Sequence, residues 1–427
     1  MQLCVKFVPM SAIYNTLLSC GKGLVAVAGA CLPKSPSSKT GRFLRGQKLV
    51  FKHLQQFSPA DENFWFHCAS LGEYAIARPL MEDLKRRRPD AKIVLTFFSS
   101  TGIEAMKSRK NVSADFICYL PLDTKANARR FVEQVRPSAA MFMVSEYWPN
   151  YLEELYRRGI PAYLISAVFT HKAPHYKRGV VGDVFRSSLK AYKHIFCLNE
   201  QGVENLASLG FTRATVEADP LVDNALHVAE TPWRYAPLED FCTRSRTLIA
   251  GSISDDNDMR LLAHEINAHP ERRYLLVPHE VDEAHILQLE EVLKVTSRRL
   301  SQYEPTMTEN VMIVDNVGML AYLYRLGTMA YIGGGFTREL HSVLEATVYG
   351  LPIAIGPRTE RKAVAQQLVN LGLATITSTE QEFTDWADRY FNSNPTHLHR
   401  LRAVGKKFCH DQAGATSRIL TSILMKE

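Results

Sequence analysis

The sequence lacks the residue patterns that several common enzyme classes require. Its eight cysteines are scattered and none forms a Cys-x-x-Cys pair, so zinc-ribbon and thioredoxin-type chemistry have no support. The Gly-x-Gly-x-x-Gly dinucleotide fingerprint, the Walker phosphate loop and the serine nucleophile elbow are absent as well. No Asp-x-Asp pair directly follows a predicted strand, and therefore the sequence does not indicate sugar transfer that depends on a metal ion.

An uninterrupted apolar run of membrane-spanning length is also missing. Residues 7–32 are mostly apolar but contain Asn15 and Lys22, and they fall short of about 20 consecutive apolar residues. A basic cluster without any acid follows: Lys34, Lys39, Arg42, Arg45, Lys48 and Lys52. This cluster is either a surface for anionic lipid headgroups and phosphates or a solvated connecting segment.

Positive charge after the apolar segment favours a cytoplasmic position for the rest of the chain. We therefore predict that residues 1–34 form a membrane anchor or an interfacial helix, with a cleaved secretory signal as the alternative.

Strand and helix signals alternate along the rest of the chain. This alternation predicts parallel sheets with crossover helices, of which Lys125–Val135 is an example. At 427 residues, of which 46% are hydrophobic and 22% charged, the chain is typical of a folded protein too long for one core. We predict an α/β fold of two Rossmann-like, doubly wound domains that face a cleft, residues 35–228 and residues 229–427, with a terminal helix that packs back.

Glu73 follows the strand-like run Phe64–Ala69 and precedes a helix-like run that begins at Pro79. Open α/β sheets place their chemistry at the carboxyl ends of strands, where this carboxylate lies. Two interpretations are open for Glu73: a catalytic base, or a carboxylate that stabilises the start of a helix.

Three further loops follow predicted strands. Glu146, Trp148 and Asn150 form an acidic and aromatic surface suited to sugar rings, or alternatively a hydrophobic helix entry. Gly251 and Ser252 precede a helix start, whose free N–H groups attract phosphate, although an ordinary N-cap explains the same pattern. The glycines of the third loop allow the backbone to approach a ligand closely, and the loop leads into another helix. Its residues of interest are Gly333, Gly334, Gly335, His341, Ser342 and Glu345. His279, at the end of another strand, either faces a phosphate or is structural.

Taken together, these loops resemble those of the 3-deoxy-D-manno-octulosonic acid (Kdo) transferases. The similarity runs from about Lys48 to about Leu420. Its most specific parts are Ser-x-Gly-Glu at Ser70–Glu73 and Glu-x-Trp-Pro-Asn at Glu146–Asn150.

The resemblance implies a GT-B fold and an inverting, metal-independent transfer of Kdo from CMP-Kdo to a lipid A precursor, lipid IVA, in lipopolysaccharide synthesis. It implies no cofactor and no nucleic-acid partner, and a place on the anionic, cytoplasmic face of the inner membrane of a Gram-negative bacterium. Glu73 would be the base. The first domain would bind the acceptor through Ser70, Gly72, Glu146, Trp148 and Asn150. The second would bind the donor through Gly251, Ser252, His279, Gly334, Gly335, His341, Ser342 and Glu345.

Three places depart from the family pattern. Leu221 stands where the family carries a basic residue, which is the most serious departure; Ser342 stands where it carries asparagine, and Pro278-His279-Glu280 stands where many members carry Pro-Arg-His-Pro-Glu. Two alternatives remain beside Kdo transfer. One is another GT-B enzyme that uses a UDP-sugar, and the other is a degenerate membrane protein that binds lipid A or nucleotide without turnover.

Overall fold

The computed structural model describes residues 46–47, 50–52, 54, 57–58, 61–108, 112–337, 340–359 and 362–425. The predicted anchor, residues 1–34, and all of the basic cluster except Lys52 lie outside these residues. Among the helices that are described, none combines the length and the apolar character needed to cross a membrane. The chain divides into two compact units, one that ends at Leu221 and resumes at Gly414, and one that runs Val222–Ala413.

Seven parallel strands form the sheet of the first unit, in the order β3-β2-β1-β4-β5-β6-β7. The strands are β1 Asn63–Cys68, β2 Lys92–Phe97, β3 Phe116–Tyr119, β4 Ala139–Met143, β5 Ala162–Ala167, β6 Tyr192–Cys197 and β7 Ala214–Val216. The helices between them are α1 Leu71–Arg87, α2 Ser100–Ser108, α3 Lys125–Val135, α4 Pro149–Arg157, α5 Val180–Leu189 and α6 Glu200–Ser208.

Burial on both faces explains why β1 is mostly apolar, with Asn63 and His67 as its polar residues. All six of its residues are buried, and successive side chains point to opposite faces of the sheet. Trp65 packs against the rings of Phe131 and Phe142 on one face, whereas Phe64 and Phe66 belong to the apolar cluster on the other.

The second unit repeats this architecture, with the strand order β10-β11-β9-β8-β12-β13-β14, all parallel. Helix α7, Pro220–Glu230, leads into it, and the predicted boundary after residue 228 lies within this helix. The strands are β8 Thr247–Ile253, β9 Arg273–Pro278, β10 Ser297–Arg299, β11 Val311–Ile313, β12 Met329–Ile332, β13 Ile353–Ile355 and β14 Ala374–Ile376. The helices are α8 Ala236–Thr243, α9 Asp256–Ala268, α10 Glu283–Val292, α11 Leu320–Leu323, α12 Leu344–Thr347, α13 Ala363–Asn370, α14 Glu380–Phe391 and α15 Pro395–Asp411.

The C-terminal stretch, expected as one helical segment, is two helices. Gly414, at φ 83°, takes a left-handed conformation between α15 and α16, Ala415–Leu424. Ile419 and Ile423 of α16 are buried in the apolar cluster of the first unit, and Arg87 of α1 donates a hydrogen bond from Nη1 to Thr421 Oγ1 at 2.8 Å. Helix α16 thus completes the core of the first unit.

The predicted fold class, two doubly wound parallel sheets with helices, is confirmed. In both sheets strand addition changes sides across a central pair of strands, β1 and β4 in the first and β8 and β12 in the second; in the second sheet β11 also lies between β9 and the edge strand β10. Ligands of open α/β sheets bind outside the carboxyl ends of the strands at such switch points. The loops after these four strands are therefore the candidate ligand-binding loops.

Candidate active site

Glu73 and Glu146 follow the two strands at the switch point of the first sheet. Strands β1 and β4 pair directly, from Phe64 opposite Ala139 to His67 opposite Phe142. The backbone that leads to Glu146 includes Val144 at φ 63°, an unusual conformation for a β-branched residue. A strained backbone position persists only where the surrounding structure holds it in place, and such positions are common at functional sites.

Glu73 occupies the first turn of α1 and is half-buried. Its Oε2 accepts a hydrogen bond from Ala69 N–H at 2.5 Å, and its own N–H donates to Ser70 Oγ, the N-cap, at 3.4 Å. Burial raises the pKa of Glu73 to about 8, with a further contribution from the negative charge of Glu146 and an opposing one from the hydrogen bonds of Ala69 and Ser70. A carboxyl group with this pKa can take up a proton near neutral pH.

Glu146 is held by an aromatic side chain and approached by a buried histidine. Trp148 Nε1–H donates to Glu146 Oε2 at 2.5 Å, and His67 Nε2 lies 3.4 Å from the same oxygen. His67 is fully buried, and its Nδ1 lies 2.9 Å from Thr96 Oγ1. Sequence reasoning missed His67, because it lies inside the apolar run of β1. The one signal available was a polar residue on the same face of the strand as Trp65.

The other residues predicted to bind the acceptor fall into two groups. Ser70 and Gly72 are exposed at the start of α1, and the Trp148 ring lies against Phe98 at 5.0 Å between ring centroids. Asn150, in contrast, is buried, and its Nδ2 donates to the carbonyl of Asp123 at 2.6 Å. Asn150 thus orders the neighbouring loop rather than lying on the accessible edge.

Leu221 packs, partly buried, against the apolar cluster of the first unit. Its N–H donates to Asp219 Oδ1 at 3.0 Å, and Ser166 Oγ donates to the same oxygen at 3.2 Å. The segment that carries Leu221 is therefore tied to the end of β5, and its apolar side chain suits that position.

In the second sheet, a single buried carboxylate joins two of the predicted loops. Asp258 Oδ2 accepts hydrogen bonds from Ser254 N–H at 3.0 Å, from Ser254 Oγ at 3.2 Å and from Gly334 N–H at 2.9 Å. Its Oδ1 accepts one from Tyr331 Oη at 2.5 Å. Asp258 was not predicted, and it belongs to an Asp-x-Asp sequence, Asp256-Asn257-Asp258, that lies within α9 rather than in a loop.

The glycines near the ends of β8 and β12 are required by the packing of the protein against itself, and Gly251 and Ser252 lie inside β8 rather than in the loop after it. A Cβ on Gly251 would lie 2.0 Å from Tyr324 Oη, and one on Gly333 would lie 2.2 Å from the carbonyl of Ser252. Gly335 meets the backbone of Gly356 in the same way. Gly334 has φ 81°, and Ser252, a non-glycine residue, has φ 55°. The backbone near these strand ends is therefore fixed and partly strained.

His279 and His341 come together at this edge. Their ring centroids are 4.4 Å apart, and His341 N–H donates to the carbonyl of Gly333 at 3.2 Å. Burial lowers the pKa of His341 to about 4, assisted by the charges of His279 and Lys362. Ser342 and Glu345 are half-buried. The expected helix after Ser342 is present as a single turn, α12, whose first turn contains Glu345.

One further group of ligand-type side chains lies close together in the described part of the chain: Glu280, Asp282 and His285. Asp282 accepts a hydrogen bond from His285 N–H at 3.2 Å as the N-cap of α10, and it contacts the His285 ring at 2.8 Å. The acids of this group are exposed, and their mutual contacts account for the arrangement.

The chain is also similar in sequence to proteins of known family. The family described as 3-Deoxy-D-manno-octulosonic-acid transferase (kdotransferase) matches residues 42–220. The 3-deoxy-D-manno-octulosonic acid transferase of Haemophilus influenzae is 25% identical over 374 residues, which cover 85% of this chain and 86% of that protein. That of Aquifex aeolicus is 26% identical over 330 residues, which cover 73% of this chain and 83% of that protein.

Solved structures share the fold. The UDP-GlcNAc 2-epimerase from Neisseria meningitidis bound to UDP-GlcNAc aligns with a TM-score of 0.59 at 13% identity, over 86% of this chain and 100% of that one. MurG from Acinetobacter baumannii aligns with a TM-score of 0.52 at 11% identity, over 86% and 99% of the two chains. At these identities the likeness concerns the fold alone, which is GT-B-like as predicted.

Proposed function

Because the chain belongs to the family of Kdo transferases, which are glycosyltransferases, we propose that it transfers Kdo from CMP-Kdo to lipid IVA in lipopolysaccharide synthesis. The acceptor hydroxyl attacks the anomeric carbon of Kdo and inverts its configuration. The bond from that carbon to the phosphate oxygen breaks, and CMP leaves with the electron pair as a phosphate monoester.

The environment of Glu73 carries this proposal. General-base catalysis is most effective when the pKa of the base lies near the working pH, because the group is then both deprotonated and basic enough to accept a proton. With a pKa raised to about 8, Glu73 is more basic than an ordinary carboxylate, and the deprotonated fraction that can act as a base grows as the pH approaches that value. In the proposed reaction Glu73 takes the proton of the acceptor hydroxyl as the new bond forms, while Glu146 keeps the pKa of Glu73 high.

On the donor side, the second sheet offers groups that suit a phosphate. The half-buried Ser252 lies in strand β8 just before its end at Ile253, and His279 and His341 present two imidazoles side by side. Hydrogen-bond donors held in place stabilise charge that develops on a leaving group. We propose that these groups, rather than a metal ion, stabilise the departing CMP, and that no cofactor takes part.

We further propose that the reaction takes place on the anionic, cytoplasmic face of the inner membrane, where the lipid acceptor lies. The basic residues of the N-terminal region, Lys34 to Lys52, support this location through attraction to anionic headgroups.

Incubation with CMP-Kdo and lipid IVA, with the product identified by mass, tests the function. The wild-type protein should add Kdo, and Glu73→Gln should lower kcat by about 10²–10⁴-fold. Glu82→Gln is the matched control, because Glu82 lies on the same helix and pairs with Arg78 at the surface. Either of two results would overturn the proposal: the wild-type protein binds UDP but not CMP, or Glu73→Gln transfers Kdo at the wild-type rate.

A further inference from the structure

The segment after β5 carries three cations that the fold does not use. Lys172, Lys177 and Arg178 are exposed, and none of them forms an ion pair with any of the described residues. No acid occurs between residues 168 and 182. Arg186 provides the contrast: it pairs with Asp183 and has a structural task.

The backbone that presents these cations has a fixed shape. Arg186 Nη1–H donates to the carbonyl of His175 at 2.5 Å and to that of Lys177 at 3.1 Å. A Cβ on Gly182 would lie 1.7 Å from the Lys177 carbonyl oxygen, so the segment packs directly on the start of α5. Tyr176 Oη donates to the Asn205 carbonyl at 2.6 Å. Binding groups on such an ordered segment lose little entropy when a ligand arrives.

The segment also lies beside the proposed catalytic edge. Strand β5, from which it leaves, pairs with β4, from which Glu146 is presented. The buried ring of His175 lies 4.4 Å from the ring of Tyr147, the residue after Glu146. Residues 172–178 and the loop of Glu146 are therefore neighbours at the carboxyl ends of the same sheet.

We propose that Lys172, Lys177 and Arg178 bind the phosphate groups on the sugars of the lipid acceptor, which orients its hydroxyl toward Glu73. This proposal rests on the proposed function. The three cations would provide positive charge in the same unit as Leu221, which stands where the family carries a basic residue. Ammonium and guanidinium groups form charge-assisted hydrogen bonds with phosphate oxygens, and such bonds are stronger than those between neutral groups.

The test compares Lys172→Gln/Lys177→Gln/Arg178→Gln with a control of equal charge change, Arg136→Gln/Lys190→Gln/Lys406→Gln, in neutral detergent micelles. The control residues are exposed cations that likewise make no ion pair within the described chain. The loop variant should raise the KM for lipid IVA about tenfold, with kcat and the Kd for CMP unchanged. With enzymatically dephosphorylated lipid IVA, the loop variant, the control and the wild type should give the same KM.

Two results would overturn the proposal: an unchanged KM, or an equal rise with both acceptors. Flotation with phosphatidylglycerol vesicles separates acceptor recognition from attachment to the bilayer. If the loop variant loses vesicle binding but keeps its KM in neutral micelles, the cations serve the membrane and the proposal is wrong. If the wild type transfers no Kdo, the proposed function fails, and binding of fluorescent lipid IVA to the same variants still decides whether the cations hold its phosphates.

Discussion

Asp258 Oδ2 accepts a hydrogen bond from Gly334 N–H at 2.9 Å across a separation of 76 residues in sequence. The same oxygen accepts from Ser254 N–H at 3.0 Å. One carboxylate thus fixes the distance between the loop after β8 and the loop after β12, the two loops at the switch point of the second sheet. We therefore expect Asp258 to be a positioning residue, whose effect on a bound nucleotide passes through these loops.

Asp258→Asn should weaken nucleotide binding. The amide of asparagine is neutral, so the hydrogen bonds that Oδ2 now accepts from Ser254 and Gly334 lose their charge assistance and hold the two loops less firmly. We expect the Kd for CMP, measured by calorimetry, to rise about tenfold or more, and the free energy of unfolding in urea to fall by about 1–3 kcal/mol.

Tyr331→Phe is the control for this variant, since it removes a hydrogen bond to Asp258 Oδ1 and leaves both loop contacts in place. It should lower stability with a smaller change in the Kd for CMP. Equal CMP binding by Asp258→Asn and the wild type would show that the carboxylate does not position the loops.

Glu73→Gln should make the protein more stable at alkaline pH. The pKa of Glu73 rises from an ordinary 4.5 to about 8 in the folded state. The folded protein therefore binds this proton more tightly than the unfolded chain does, and the free energy of unfolding falls as pH rises between these values. Gln mimics the protonated carboxyl group and avoids the loss.

We expect Glu73→Gln to match the wild type at about pH 4 and to exceed its free energy of unfolding by about 1–3 kcal/mol at about pH 9, in urea titrations. A difference that does not vary with pH would mean that Glu73 titrates as an ordinary carboxyl group.

Glu146→Gln should shift the pH dependence of transfer. The charge of Glu146 helps to raise the pKa of Glu73, and its removal brings that pKa down. Because the base acts when deprotonated, the rising limb of kcat/KM against pH should move to lower pH. Glu153→Gln, which alters an exposed acid on α4, should leave the limb in place. An unshifted limb in Glu146→Gln would refute the coupling.

The sequence was most informative where strands are buried on both faces. Central strands such as β1 and β8 appear as continuous apolar runs, and their positions were predicted. Strands β7, β10 and β14, which the sequence pattern does not predict, are edge strands of three residues with side chains that are partly exposed. Such strands carry too few apolar residues to stand out from loops.

Individual residues of the candidate site could be predicted from the sequence, but the contacts and electrostatic coupling between them could not. Glu73 and Glu146 each follow a strand, and that position is visible in the sequence. Their electrostatic coupling depends on β1 pairing with β4, which the order of elements along the chain does not reveal. Asp258 was missed for the same reason: its position at a helix start suggests a cap, whereas its partners Tyr331 and Gly334 are distant in sequence.

Ile419→Ala should destabilise the first unit without changing nucleotide binding. Ile419 of α16 is fully buried in the apolar cluster against α1, far along the chain from the residues it packs with. The lost methyl groups and the cavity left behind should lower the free energy of unfolding by about 2–4 kcal/mol in urea. The exposed Val404→Ala should cost less than about 0.5 kcal/mol. A large change in the Kd for CMP in Ile419→Ala would contradict the prediction that this substitution affects only the first unit.

Removal of divalent metal ions should leave Kdo transfer unchanged. The groups that we propose to face the leaving phosphate are imidazoles and backbone or hydroxyl donors, which stabilise anionic charge directly. Glu280 and Asp282, which follow His279 in the chain, are exposed, and Asp282 is engaged with His285 as a helix cap. Initial rates with EDTA should therefore equal those with added Mg²⁺ or Mn²⁺. A loss of activity in EDTA that Mg²⁺ restores in the wild type, but not in Asp282→Asn, would instead make this group a metal site that the reaction requires.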